Sequence, residues 1–166
     1  MAKNSDSSKK EKANSEITEK VLYVNRCSKV VSGGRKFSFS ALILVGDGKG
    51  RVGYGFAKAN ELTDAIRKGG EDARKHMRTY QLDDTTIPHE ITVNWDGSSI
   101  FLKPAPKGSG VVAGPKVRAV LEMAGIKDVM AKSMRSNNPI NIVKATFKAL
   151  ESLRSREEIR NLRGQE

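Results

Sequence analysis

Cysteine is nearly absent from this 166-residue chain: Cys27 stands alone, which excludes an intrachain disulfide framework and a cysteine-rich metal cluster. Histidine is almost as scarce. His76 and His89 are isolated from any Cys and from any recognisable nucleophile motif, so catalysis has no strong candidates. His76 reads as a structural residue beside a helix stripe, Cys27 as a small strand residue and Trp95 as packing next to a hairpin turn. No run approaches the ~18 apolar residues of a membrane-spanning helix. The first residues also lack the apolar segment of an export signal, so a reducing cytoplasm is the expected compartment.

What is abundant is positive charge. Thirty Lys and Arg face 19 Asp and Glu, a net +11 that makes a polyanion the leading expectation for a partner. Between positions 21 and 59 seven cations meet a single acid, Asp47, so the basicity belongs to a folded segment and not to a simple tail.

Residues 1–17 are rich in Ser, Lys, Asn and Glu and too poor in apolar residues to offset the entropy of ordering them, which predicts a disordered arm. From Val21 three β-rich runs follow, separated by glycine clusters at 33–34 and 46–50. The alternation of Phe37, Phe39, Ala41 and Ile43, and later of Val52, Tyr54 and Phe56, predicts a three-stranded antiparallel meander. Leu62, Ile66, Gly69, Ala73, Met77 and Tyr80 recur at spacings of three and four, predicting an amphipathic helix over about 60–80. Gly69 and Gly70 inside it call for a packing reason, and a close approach to Gly53 and Gly55 of the sheet supplies one. These elements form a unit over 18–82, and 83–90 is a polar, proline-bearing linker. A second unit over 91–153 reads β-β-α-β-α. It has a hairpin turn at Asp96-Gly97, a helix opened by Pro115 and stopped by Gly125, a short strand in 126–131, and a last helix capped by Asn138 with Pro139 next. Residues 154–166 are a tail. The fold class is α+β.

Gly48-x-Gly50-x-x-Gly53 has the spacing of a dinucleotide fingerprint, but strand-like alternation follows the glycines where that motif needs a helix N-terminus. Lys49 is followed by Gly50 and not by Ser or Thr, so the sequence is not a Walker loop either. The kinase glycine loop lacks its Val, which is Gly55 here, and its catalytic partners. No cofactor, metal or small-molecule substrate is implied. Gly48 and Gly50 then serve a tight turn, and Gly53 and Gly55 clear one sheet face. A mobile tip carrying Lys49 and Arg51 could also offer backbone amides to phosphates of folded RNA.

Two long strings carry a family resemblance: "GGRKFSFSALILVGDGKGRVGYGFAKANEL" and "PAPKGSGVVAGPKVRAVLEMAGIKDVMAKSMRSNNPINIVKATFKALESL". In this order they closely resemble bacterial small-subunit ribosomal protein five, over roughly residues 18–153. The resemblance implies an N-terminal domain similar to double-stranded-RNA-binding modules, and a C-terminal α+β domain with a left-handed βαβ crossover. It further implies binding to small-subunit ribosomal RNA, contacts with small-subunit proteins four and eight, and a place near the messenger-RNA entrance channel. The segment 29–35 matches the loop that borders the spectinomycin site. Lys107, Gly108, Ser109, Gly110 and Arg118 match the region that faces protein four and influences translational accuracy. Val31-Ser32 stands where the family pattern is more basic, shifting the loop's phosphate contacts toward Arg35 and backbone amides.

The expected RNA contacts are therefore Arg26, Lys29, Ser32, Gly33, Gly34, Arg35, Lys36, Lys49, Arg51 and Lys58. Phosphate contacts should dominate, making affinity fall steeply with salt. Lys107, with Gly108 and Gly110 before the Pro115 helix, is either an anion site or part of a flexible connection. Lys144 and Lys148, four apart on the last helix, face RNA, a partner or solvent. Two other functional classes remain open from the residues alone: a free-standing double-stranded-RNA-binding regulatory protein and a nucleotide-dependent enzyme.

Overall fold

The computed structural model describes residues 17–164, so all but the last residue of the arm expected over 1–17 lies outside the described residues. Two four-stranded sheets organise the chain. In the first, β1 (Thr18–Val31), β2 (Gly34–Gly46) and β3 (Arg51–Ala59) run antiparallel in chain order, and the short β4 (Arg78–Thr79) closes the far edge. The second has the order β5-β6-β8-β7. Here β5 (Ile91–Trp95), β6 (Ser98–Pro104) and β8 (Val129–Arg135) are antiparallel, while β7 (Val111–Val112) pairs parallel to β8. The helices are α1 (Leu62–Lys75), α2 (Pro115–Ala124), α3 (Pro139–Glu151) and α4 (Arg156–Leu162). This is the α+β architecture expected, with β4, β7 and α4 added to it.

α1 lies on β2 and β3 almost backbone to backbone. A Cβ placed on Gly55 would strike the carbonyl of Gly69, and one on Gly53 the carbonyl of Ala73. A Cβ on Gly69 would come within 2.9 Å of Ile43 Cδ1. The close approach expected from the glycines is thus present, with bare backbone on both surfaces.

α1 stops five residues short of the predicted Tyr80. His76 leaves the helix at φ −102°, ψ 19°, and the chain extends into β4 until the Tyr80 amide donates to the Gly50 carbonyl at 2.9 Å. Met77 and Tyr80 keep helical spacing by coincidence, since an extended segment crossing the sheet edge also needs apolar residues where it meets a core. Met77 packs against the small core of Ala41, Ile43, Val45, Ala65 and Ala73, whereas Tyr80 joins a larger one.

β2 is buried on both faces, which explains why its apolar residues do not alternate with polar ones beyond Ser40. Ala41, Ile43 and Val45 face α1, while Leu42 and Leu44 face the larger core, shared with Ile100, Leu102, Leu121, Val143 and Phe147 of the second sheet and its helices. Burying a leucine fully is worth roughly 1.5–3 kcal/mol, so this face of β2 ties the two units together. The Phe147 ring closes the seam, 4.8 Å from Tyr54 and 6.0 Å from Tyr80 between centroids. The 83–90 segment that joins the sheets is itself anchored: Ile87 is fully buried, and the Thr85 carbonyl accepts from the amides of Lys127 and Asp128.

Caps behave as the sequence indicates. Asn138 Oδ1 accepts from the Ile140 amide at 3.2 Å, and Gly125 ends α2 at φ +90°. The strand expected over 126–131 starts later, at Val129, because Ile126 turns into the core and the Asp128 side chain is engaged elsewhere. In the segment expected as a tail, Ser155 and Glu158 form a reciprocal capping box that opens α4.

Gly55→Ala should lower unfolding free energy by about 1–3 kcal/mol through backbone displacement. Gly33→Ala, whose Cβ meets nothing within 4 Å, should stay within about 0.5 kcal/mol of the parent. Urea denaturation of both variants checks the contrast.

Candidate nucleic-acid interface

The base of the β1–β2 hairpin is tied down on both sides. Glu19 pairs with Arg74 of α1 at 3.0 Å, and Lys20 pairs with Glu122 of α2 at 3.2 Å. Beyond Tyr23 and Leu42 the hairpin extends away from these anchors, ending in the tight turn Ser32-Gly33 with Gly34 at φ +128°. Arg26, Lys29, Arg35 and Lys36 are all exposed here, and among the described residues none is ion-paired with a carboxylate.

Register sorts these cations between two faces. Lys29 lies directly opposite Lys36, on the same face as Lys58 of β3, which is opposite Ser40. Arg26 and Arg35 lie on the other face, where the Arg26 guanidinium stacks 3.8 Å from the centre of the exposed Phe37 ring. Phe37 was not among the expected contacts. Its signal was the alternation that places it two residues along the strand from the partner of Arg26. Like charges at Lys29 and Lys36 repel across the ladder, an arrangement that an anion between them relieves.

The Asp47–Gly50 turn is different from the mobile, phosphate-facing tip that its sequence suggests. Its amides are consumed inside the protein: Gly48 donates to the Met123 carbonyl at 3.1 Å and Gly50 to the Ala124 carbonyl at 2.9 Å. Asp47 Oδ1 accepts from the amides of Lys49 and Arg51, and its Oδ2 accepts from Arg51 Nε at 2.7 Å. Burial pushes this carboxyl up, but Arg51 and the two amides outweigh it and hold the group below its ordinary value of 3.8. The tip's backbone is therefore unavailable to phosphate, and Arg51 is half committed to Asp47. The lost signal lay in the facing helix, whose terminal carbonyls needed donors. As expected, β3 follows the glycines where a nucleotide fold would place a helix.

The loop before α2 is likewise neither a free anion site nor a flexible connection. Gly108 at φ +90° and Gly110 at φ +71° aim their amides at Asp128 Oδ1, at 2.9 and 3.0 Å. The protein's own carboxylate fills the nest. Hydrogen bonding from Gly110, with support from Gly108 and Ser109, holds Asp128 below the ordinary carboxylate range. Lys107 Nζ donates to Asp84 at 2.6 Å, which raises the lysine's pKa and lowers the aspartate's. Arg118 is exposed in the first turn of α2, so it and the 107–110 loop flank β7. On α3, Lys148 reaches the Asn94 carbonyl and sits 5.2 Å from the Trp95 ring.

Two family models match this chain: the N-terminal domain of ribosomal protein S5 over residues 17–80 and its C-terminal domain over 93–163. The chain belongs to the ribosomal protein S5 family. Among its relatives, the small ribosomal subunit protein uS5 of Protochlamydia amoebophila is 72% identical over 166 residues, covering 99% of both chains. The proteins of the same name from Chlamydia caviae and Chlamydia trachomatis serovar D are 67% and 63% identical over 145 residues, covering 87% of this chain and 88% of theirs. Membership makes the chain a structural, non-enzymatic constituent of the small ribosomal subunit, in the cytoplasm with the ribosome, and rRNA binding is a general property of the S5 family. The C-terminal S5 match runs to 163 and so takes in α4, beyond the segment that the sequence resemblance covered. Among the described residues no helix is long and apolar enough to cross a membrane and no His, Cys, Asp or Glu cluster could hold a metal.

Asp47→Ala should destabilise the chain by about 1–2 kcal/mol at neutral pH through loss of charge-assisted bonds. Because the folded-state pKa is lowered, that contribution is complete above the unfolded carboxylate value and fades as pH falls through the folded one. Thermal melts of parent and variant should therefore differ fully above about pH 4 and draw together only as the pH falls below the ordinary carboxylate value toward the lowered folded one.

Proposed function

We propose that the distal β1–β2 hairpin is the principal contact of this protein with small-subunit ribosomal RNA. Arg26, Lys29, Arg35 and Lys36 supply the phosphate contacts, and the Ser32-Gly33-Gly34 turn brings the backbone close. The observation that carries this reading is a hairpin anchored at its base, projecting beyond both units, with four cations that have no carboxylate partner among the described residues. Lys58 extends the basic surface onto β3, and Lys49 and Arg51 border it from the docked turn as side chains only. A protruding, two-faced basic hairpin suits insertion between RNA helices, where phosphates approach from both sides. This supports a role in subunit assembly.

The second unit takes the protein contacts. The Lys107–Gly110 loop and Arg118 form the surface toward small-subunit protein four, and protein eight is a further neighbour. Their position near the messenger-RNA entrance channel is the route by which this chain influences translational accuracy. The loop at 29–35 lies beside the spectinomycin site. A loop held by Asp128 presents a fixed shape to a partner, so its conformation and not its charge alone is what the neighbour reads.

Two measurements test these assignments. Lys29→Ala with Arg35→Ala should weaken binding to small-subunit rRNA by about tenfold and flatten the slope of log affinity against log salt by about one for each phosphate no longer neutralised. An unchanged affinity and slope would remove the hairpin from the interface. Asp128→Ala should speed hydrogen exchange at the Gly108 and Gly110 amides and alter misreading in reporter translation, while leaving rRNA affinity within about twofold. Normal accuracy with a loosened loop would refute the accuracy assignment.

A further inference from the structure

The hairpin's two faces are chemically unequal. On the face away from α1, register places Tyr23 of β1 and Phe56 of β3 on either side of Leu42, in one row across the sheet. The second unit covers this face only at its near end, where Leu42 and Leu44 enter the larger core and Tyr54 meets Phe147. Tyr23 and Phe56, in contrast, remain 45% and 38% exposed. Lys58 lies one row outward, its Nζ 5.8 Å from the centre of the Phe56 ring, and Lys29 and Lys36 follow as a facing pair. Among the described residues of the three strands, no Asp or Glu occupies this face between the Tyr23 row and the Lys29 row.

We propose that this face binds an unpaired stretch of RNA, with bases stacked on Phe56 and Tyr23 and phosphates held by Lys58, Lys29 and Lys36. The inference rests on the reading of the chain as an rRNA-binding protein and names the kind of RNA this one face selects. The two rings are two strand spacings apart, about 10 Å, and stand clear of the hairpin tip. A base can lie on such a ring only if its own face is free, and in a duplex the neighbouring base pairs already cover it. Phosphate contacts alone cannot make that distinction, because both forms of RNA carry the same charge. A protein partner is disfavoured by composition: lysine is depleted in protein interfaces, and here three lysines surround two rings with no acid to pair. The opposite face, where Arg26 already covers Phe37, is left to phosphate contact without stacking.

The test uses the full chain, a short unstructured fluorescent RNA and the same RNA annealed to its complement, titrated by anisotropy. Phe56→Leu and Tyr23→Leu should each weaken the single strand by about tenfold and leave the duplex within about twofold. Phe56→Tyr, which keeps a ring, should retain single-strand affinity, and Lys29→Ala with Lys36→Ala should weaken both RNAs. If the leucine variants weaken neither RNA, the face belongs to a protein partner and the proposal is overturned. Equal weakening of both RNAs overturns it as well. In either case the lysine variants still report on rRNA binding, whose own failure would instead appear as a parent chain that binds no small-subunit rRNA.

Discussion

The terminal carbonyls of α2 need donors, and the turn at the far end of β2 supplies them. A helix leaves its last carbonyls without intrahelical partners, and here Gly48 and Gly50 donate to Met123 and Ala124. The contact is so tight that a Cβ on Gly125 would strike the Gly48 carbonyl. It sets the position of the second sheet against the first, so that Leu42 and Leu44 find a core to enter and Phe147 reaches Tyr54 and Tyr80. Asp47 holds the turn in the one shape that presents both amides, with Arg51 neutralising its buried carboxylate.

From that docking follows a division between rigid and projecting surface. Wherever α1 or the second unit lies on the first sheet, glycine and small or aliphatic residues allow close contact. Where neither does, the β1–β2 hairpin continues into solvent with cations on both faces. A hairpin buried on one face would present charge on one side only. This one carries cations on two, with the exposed rings of Tyr23 and Phe56 on one face and that of Phe37 on the other. The second unit contributes a different kind of surface, a loop shaped by Asp128 and followed by the exposed Arg118 of α2.

Much of this was legible in the residues. Alternation in 37–56 places two strands and the β-rich run from Val21 a third, the three-and-four spacing after Leu62 places α1, and glycines in both strand and helix announce their contact. Cap chemistry at Pro115, Gly125 and Asn138 marks the helix ends. The concentration of cations between 21 and 59 places seven of them on the first sheet and its turns. What misled was local pattern that tertiary contact reassigned: Met77 and Tyr80 have helical spacing but belong to an extended edge. β7 is too short for periodicity to reveal, and it exists because β8 offers it an edge.

By itself the sequence determined the α+β class, the family and the basic hairpin, because these depend on periodicity, capping and charge that neighbouring residues carry together. Only the tertiary structure decided which glycine amides are free. Those of 48 and 50 and those of 108 and 110 look alike in sequence as phosphate cradles. In the fold their donors are taken by α2 carbonyls and by the Asp128 carboxylate, all of them partners at least 18 residues away. A hydrogen-bond donor serves a ligand only if the chain has not already satisfied it, and that balance is struck by contacts between segments far apart in sequence.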